Sequence, residues 1–141
     1  MKKIAALALA LVMVCLALAS CGAPKVTVNC KISFVIDGEY ILQEFPVEAV
    51  GTEENPPTVL QAAREALQMV EYNYALDDEE LGFSSVSYDG VDYSAGIDAD
   101  GNICYWGYTA NGEEPEKGRA GSNAVLEGQN IVFTYICEAI D

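Results

Sequence analysis

From Val26 to Ile36 the chain alternates without a break. Val26, Val28, Cys30, Ile32, Phe34 and Ile36 fall on one face, and Thr27, Asn29, Lys31 and Ser33 on the other. Successive side chains of a strand point to opposite faces, so this stretch predicts a half-buried β-strand. Asp37-Gly38 follows, a pair suited to the positive φ values of a tight hairpin turn, and the return strand is expected over about Tyr40 to Val47. Gly51 to Pro57 reads as a loop closed by a double proline. At Thr58 the period changes. Leu60, Ala63, Leu67, Val70 and Tyr74 recur at helical spacing, while Gln61, Arg64, Glu65, Gln68 and Glu71 face away. This is an amphipathic helix lying on a sheet. Thr58 is its N-cap, with Gln61 three residues on completing a capping box. Asp77-Asp78-Glu79-Glu80 would oppose the negative end of the helix dipole, so the helix should stop before them.

The remainder reads as short strands separated by turn signals: Ser84 to Tyr88, Asp92 to Ile97, Ile103 to Thr109 and Ile131 to Glu138. Asp89-Gly90, Asp98 to Asn102 and Asn111-Gly112 mark the turns, and Gly118 to Gly128 is glycine-rich and irregular. A β-hairpin, one helix and then several strands predict an α+β domain with the helix packed on a mixed sheet.

Ahead of this pattern stands a different one. Lys2 and Lys3 precede an unbroken apolar run from Ile4 to Ala19, and small residues lead into Cys21. This is the three-part layout of a secretory signal, and it is shorter than the ~20 apolar residues a membrane-spanning helix needs. Leu18-Ala19-Ser20-Cys21 resembles the lipobox of bacterial lipoproteins. In that family the cysteine thiol takes a diacylglyceryl group and the signal is cut just before it. The resemblance implies a signal peptide over residues 1–20, lipidation at Cys21, a short tether over 21–25 and a single domain over 26–141. It also implies a position at the cell membrane, lipid-anchored on the extracytoplasmic face, where two acyl chains suffice for stable anchoring.

Charge narrows the partners. The whole chain carries a formal −15, and without Lys2 and Lys3 five basic residues face twenty-two acidic ones. A nucleic-acid partner is excluded on electrostatic grounds. There is no histidine, which removes the commonest metal ligand and every His-dependent catalytic triad. Asp98-Ala-Asp-Gly-Asn102 has oxygen ligands at alternate positions like the start of a calcium loop, but the distal Glu of such a loop is missing, and a hairpin turn is the better reading. No metal or cofactor is expected.

From Thr58 onward the chain resembles a family of small bacterial domains similar to the C-terminal domain of transcobalamin and intrinsic factor. The resemblance rests on Thr58-Val-Leu-Gln-Ala-Ala-Arg-Glu-Ala-Leu67, Tyr105-Trp-Gly-Tyr-Thr-Ala-Asn-Gly112 and Leu126-Glu-Gly-Gln-Asn-Ile-Val-Phe-Thr-Tyr135. Gln129 stands where the family usually has Asp. The family implies a β-grasp-like fold in which the first and last strands pair in parallel. In the vitamin-transport proteins this domain caps a cobalamin held mainly by a large helical domain, which this chain lacks, so the resemblance covers half a ligand site. The β-grasp topology would also set Cys30 beside Cys137, a candidate disulfide with Cys104 left over. The alternative is that all three are small buried hydrophobes with inert thiols.

Chemistry concentrates in the aromatic strand. Tyr105, Trp106 and Tyr108, joined by Tyr88 and Tyr93, form the candidate ligand-binding surface, because aromatics offer large apolar area with a polar tip. Cys104, Trp106 and Tyr108 share one face and Tyr105 the other; one face must be core, and Trp106 is assigned to it. Gly107 between them marks a bulge or a close backbone approach. No nucleophile elbow or phosphate loop appears, so no catalysis is expected. The chain reads as a surface lipoprotein carrying a ligand-binding or interaction module. Its partner is a small molecule, corrinoid-like or other, or a surface protein. The alternative is a structural accessory subunit of an adhesion or transport complex.

Overall fold

The computed structural model describes residues 24–140. The signal segment over 1–20 and Cys21 lie outside the described residues. Strand β1 (Lys25–Ile36) turns through Asp37-Gly38 into β2 (Glu39–Thr52). Both turn residues adopt positive φ, 52° and 79°, the geometry that matches a two-residue hairpin to the twist of its strands. The return strand runs beyond the expected Val47 to Thr52, its far half in regular register with β1, and two register shifts interrupt the half next to the turn. At one of them Glu44 takes a φ of 45° and its N–H donates to Ser33 Oγ at 2.8 Å. That bond satisfies Ser33, which is otherwise buried among apolar groups.

Helix α1 (Val59–Met69) follows. Thr58 caps it, its Oγ1 accepting from Gln61 N–H at 3.1 Å. The reciprocal half of the capping box does not form, because the Gln61 side chain donates to the Val50 carbonyl on β2 instead, at 2.8 Å. Two further free N–H groups of the first turn are met by the irregular loop after residue 118: Val59 donates to the Asn123 carbonyl and Leu60 to the Ala120 carbonyl, both at 2.9 Å. The buried face comprises Val59, Leu60, Ala62, Ala63, Ala66 and Leu67. The helix ends sooner than its periodicity implies. Glu71 takes a φ of 61°, and Tyr72 N–H and Glu71 N–H return to the Leu67 and Gln68 carbonyls, a Schellman-type stop. Tyr74 therefore belongs to a strand the sequence pattern missed.

That strand, β3 (Tyr74–Leu76), pairs with β4 (Phe83–Tyr88), and β4 with β5 (Val91–Ser94), in a small antiparallel sheet. Gly96, at a φ of 129°, breaks the expected 92–97 strand and sends the chain into β6 (Gly96–Ile97) at the edge of a second, five-stranded sheet. With β7 (Asn102–Ala110) and β8 (Asn130–Ala139), this sheet runs β2-β1-β8-β7-β6. β1 and β8 are parallel, from Lys31↔Asn130 to Ile36↔Tyr135, and the other neighbours are antiparallel. The molecule is thus α+β, with one helix and a mixed sheet, and the parallel pairing of first and last strands is present.

The core lies where α1, β4 and the inner face of the large sheet meet. Phe34 is its centre. Its ring stacks on Phe133 at 5.2 Å and meets Phe83 and Trp106 edge-on, both at 5.8 Å. Cys104 and Cys137 face each other on adjacent strands and form a disulfide, with Cα atoms 4.0 Å apart. This corrects the expected Cys30–Cys137 bridge. The first and last strands do lie side by side, but the register is not compatible: Cys30 lies just before the shared β1–β8 ladder and Cys137 just past its other end. At ~3.3 Å per residue they are separated by roughly 25 Å along the strands, against the ~7 Å limit for bridging.

Cys30 is instead a free, buried thiol. Burial, then the Glu65 and Glu127 carboxylates, push its pKa up to about 11 from 9.0. A raised folded pKa means the native state holds the proton more tightly, so this contribution is complete below pH 9 and fades as pH climbs to about 11. The stability advantage of the native chain over Cys30→Ala should therefore shrink by about 2 kcal/mol between pH 9 and 11. Denaturant melts of the two proteins at both pH values test this, and a constant difference would refute it.

Candidate functional site

β7 emerges from the Asp98–Asn102 turn. The Asp98 carboxylate is consumed by that turn: Oδ1 accepts from Asp100 N–H and Asn102 N–H at 2.9 and 2.8 Å, and Oδ2 from the Asn102 side chain at 3.0 Å. These bonds, led by that of the Asn102 side chain, hold its pKa below the usual carboxylate value. The carboxylate thus serves as turn glue. Cys104 and Cys137 lie close to it, but their sulfurs are bonded to each other.

Beyond Cys104, β7 borders a cleft of about 500 Å³ between the edge of the large sheet, the start of β4 and the segment around Glu114 to Ala120. Tyr105, Trp106, Gly107 and Tyr108 form one wall, and Leu81, Gly82, Phe83 and Ser84 the facing one. Trp106 and Tyr108 sit on the inner face, opposite Tyr135 and Phe133 of β8. The Trp106 indole packs against Phe34 and, at 5.2 Å, Tyr135, and its Nε1–H donates to the Tyr93 carbonyl at 2.9 Å. It is half-buried: part of the core packing and also part of the cleft wall. The Tyr108 hydroxyl accepts from Asn123 Nδ2 at 2.6 Å, which ties the wall to the loop that closes the start of α1. Tyr105 stands on the outer face, donating to Glu138 Oε1 at 3.3 Å. Partial burial, then that carboxylate, raise its pKa above the usual phenol range and keep it neutral.

Three of the five aromatic candidates thus meet at the cleft and two do not. Tyr93 supports the Trp106 indole through its carbonyl and packs edge-on against Tyr135 at 5.5 Å. Tyr88 lies elsewhere, against Tyr72 at 5.4 Å. No bulge occurs at Gly107; its register with β8 is regular, and the missing side chain leaves room for Ile136 Cδ1, which would lie 3.3 Å from an added Cβ.

Sequence reasoning missed the polar rim. Arg119 pairs with Asp77, and with Glu79 at 3.4 Å, across the mouth of the cleft. Asp77 also accepts from Leu81 N–H at 3.0 Å. Gly82 makes this closure feasible, since a Cβ there would lie 3.0 Å from Arg119 Nη2 and 3.1 Å from Asp77 Oδ2. The one available signal was scarcity: an arginine in so acidic a chain is expected to find carboxylates. Ser84, on the facing wall, spends its hydroxyl on the Leu76 carbonyl at 3.1 Å.

The arrangement combines aromatic walls with a charge pair at the rim. A solved structure of haptocorrin in complex with Cbi is similar to this chain, with a TM-score of 0.55 and 18% identity, covering 82% of this chain and 26% of that one. The likeness is one of fold, and it supports the transcobalamin-like architecture that the sequence motifs implied. This chain spans about a quarter of the length of that protein. No family model matches the sequence, and no curated protein matches it.

Proposed function

We propose that this chain is a lipoprotein anchored through Cys21 to the extracytoplasmic face of the cell membrane, and that its β-grasp-type domain is a non-catalytic binding module. The cleft beside β7 is its contact surface. The observation that carries this reading is the convergence of Tyr105, Trp106 and Tyr108 on a cleft of about 500 Å³, within the volume range of small-molecule sites. Haptocorrin was solved with Cbi bound, which makes a corrinoid the first small ligand to try; its large flat ring suits aromatic walls. An accessory role beside another surface protein is the second reading, favoured by the outer sheet face, where Ile103 is 46% and Ile97 72% exposed.

A thermal-shift screen of the full chain in detergent against corrinoids, other tetrapyrroles and glycans tests the module. A ligand at a hundred times its dissociation constant should stabilise by about 2.7 kcal/mol, and Trp106→Ala should abolish the shift. No stabilisation by any member would remove the small-ligand reading. Cys21→Ser should move the protein from the detergent to the aqueous phase or leave the precursor uncut, whereas an unmodified native protein in the aqueous phase would remove the anchor.

A further inference from the structure

The edge of β7 that faces the cleft is open. β6 covers it at two positions, Gly96↔Cys104 and Ile97↔Ile103, and at the far end Ala110 exchanges both backbone hydrogen bonds with Glu113. Along an antiparallel strand, successive residues turn their N–H and C=O groups to opposite neighbours. Both ends of β7 report the same phase. Asn111 donates to Asn130 on the β8 side, whereas Ala110 meets Glu113 and the Asn102 carbonyl accepts from Asp98 on the opposite side. Even-numbered residues of β7 therefore turn their main chain away from β8. Trp106 and Tyr108 present theirs to the cleft, and no group among the described residues pairs with them.

The facing wall does not pair with these groups. The carbonyls of Leu81, Gly82 and Ser84 are already taken by Gly121, Asp77 and Ala95. Proteins ordinarily blunt such an edge with proline, lysine or a bulge, because an unpaired row of main-chain groups is a template for another strand. From Tyr105 to Thr109 this edge has none of the three.

We propose that the open edge of β7 docks an extended peptide segment of a partner protein as an added strand, with basic side chains at alternate positions. The inference rests on the reading of this cleft as the binding surface, and it names a ligand class for it. Main-chain hydrogen bonds to Trp106 and Tyr108 would provide the affinity, as in other strand-addition complexes, and alternate side chains the selectivity. Charge selects the basic class. Arg119 is engaged by Asp77 and Glu79, while Glu113, Glu114 and Glu116 crowd the adjoining mouth. A second copy of the chain fits poorly, since each carries a formal −15 and like-charged surfaces repel.

The chain has one tryptophan, Trp106, so its fluorescence reads the site directly. The full chain in detergent is titrated with a capped peptide of alternating lysine and valine, and with two versions N-methylated at alternate residues in opposite phases. We expect saturable binding. One phase of N-methylation, which removes donors aimed at β7, should weaken it about tenfold or more, and the other phase no more than about twofold. Hydrogen exchange at the Trp106 and Tyr108 amides should slow on binding. Equal sensitivity to both methylation phases overturns the inference, as does absence of binding at millimolar peptide or self-association through this edge. If a corrinoid binds and the peptide does not, the inference fails and the proposed function stands. If the peptide does not bind and no member of the thermal-shift panel stabilises the protein, both fail.

Discussion

Replacing Phe34 with alanine is expected to cost about 3–5 kcal/mol, the range for truncating a buried aromatic ring. Phe34 has no exposed surface and joins the two sheets. Its ring stacks on Phe133 of β8, meets Phe83 of the small sheet and carries the Trp106 indole on its edge. Loss of the ring leaves a cavity bounded by strands on both sheets, which cannot collapse without moving the hydrogen-bonded ladders that hold them. For a domain whose net stability is on the order of 10 kcal/mol, the melting temperature should fall by roughly 15 °C. The emission of Trp106 should shift as well, because one of its packing partners is gone. Tyr40→Ala is the control: Tyr40 is 52% exposed, and an exposed site should change stability by about 0.5 kcal/mol or less. Melts showing equal effects at the two positions would mean that Phe34 does not organise the core.

The second large effect belongs to the Cys104–Cys137 bridge. It spans 33 residues of sequence, and on the chain-entropy model closing a loop of that length restricts the unfolded chain by roughly 4 kcal/mol. The bridge encloses β7, the irregular segment around Gly118 to Gly128 and most of β8. Without it the unfolded state gains freedom in the very region that shapes the cleft. The Cys104→Ala, Cys137→Ala double variant should lose about that amount relative to the native chain. Non-reducing peptide mapping should recover the two cysteines as one linked pair with Cys30 free. A linked Cys30, or a loss under about 1 kcal/mol, would contradict the structure described above.

Much of this architecture was legible in the sequence, because the information is local. Strict alternation over Val26–Ile36 and the helical spacing from Leu60 to Leu67 each reflect a single element set against a core, and X-Gly pairs such as Asp37-Gly38 satisfy their turn within themselves. The face carrying Trp106 and Tyr108 was readable for the same reason. Where a pattern was set by something distant, the reading failed. The helix was extended to Tyr74 because its period continued past the point where Glu71 turns the backbone, and a non-glycine residue in that conformation carries no sequence mark. Gln61 was assigned to its own cap, yet its amide found the Val50 carbonyl across the α1–β2 interface.

By itself, the sequence determined the first hairpin, the start and buried face of the helix and the two long strands near the end of the chain, that histidine chemistry is absent and that the chain is strongly acidic. Tertiary structure alone decided which cysteines pair, because parallel β1–β8 pairing is compatible with many registers and the observed one sets Cys30 level with Gln129, eight residues short of Cys137. It decided that Tyr105, Trp106 and Tyr108 meet at a cleft while Tyr88 does not, and that Arg119 reaches Asp77 across 42 residues of chain. It also decided that the outward main-chain groups of Trp106 and Tyr108 are left open, since that depends on where β6 stops. Side-chain pattern reports which face of a strand meets the core; which backbone edge meets a neighbour is carried by groups that every residue shares, and therefore leaves no trace in composition or spacing.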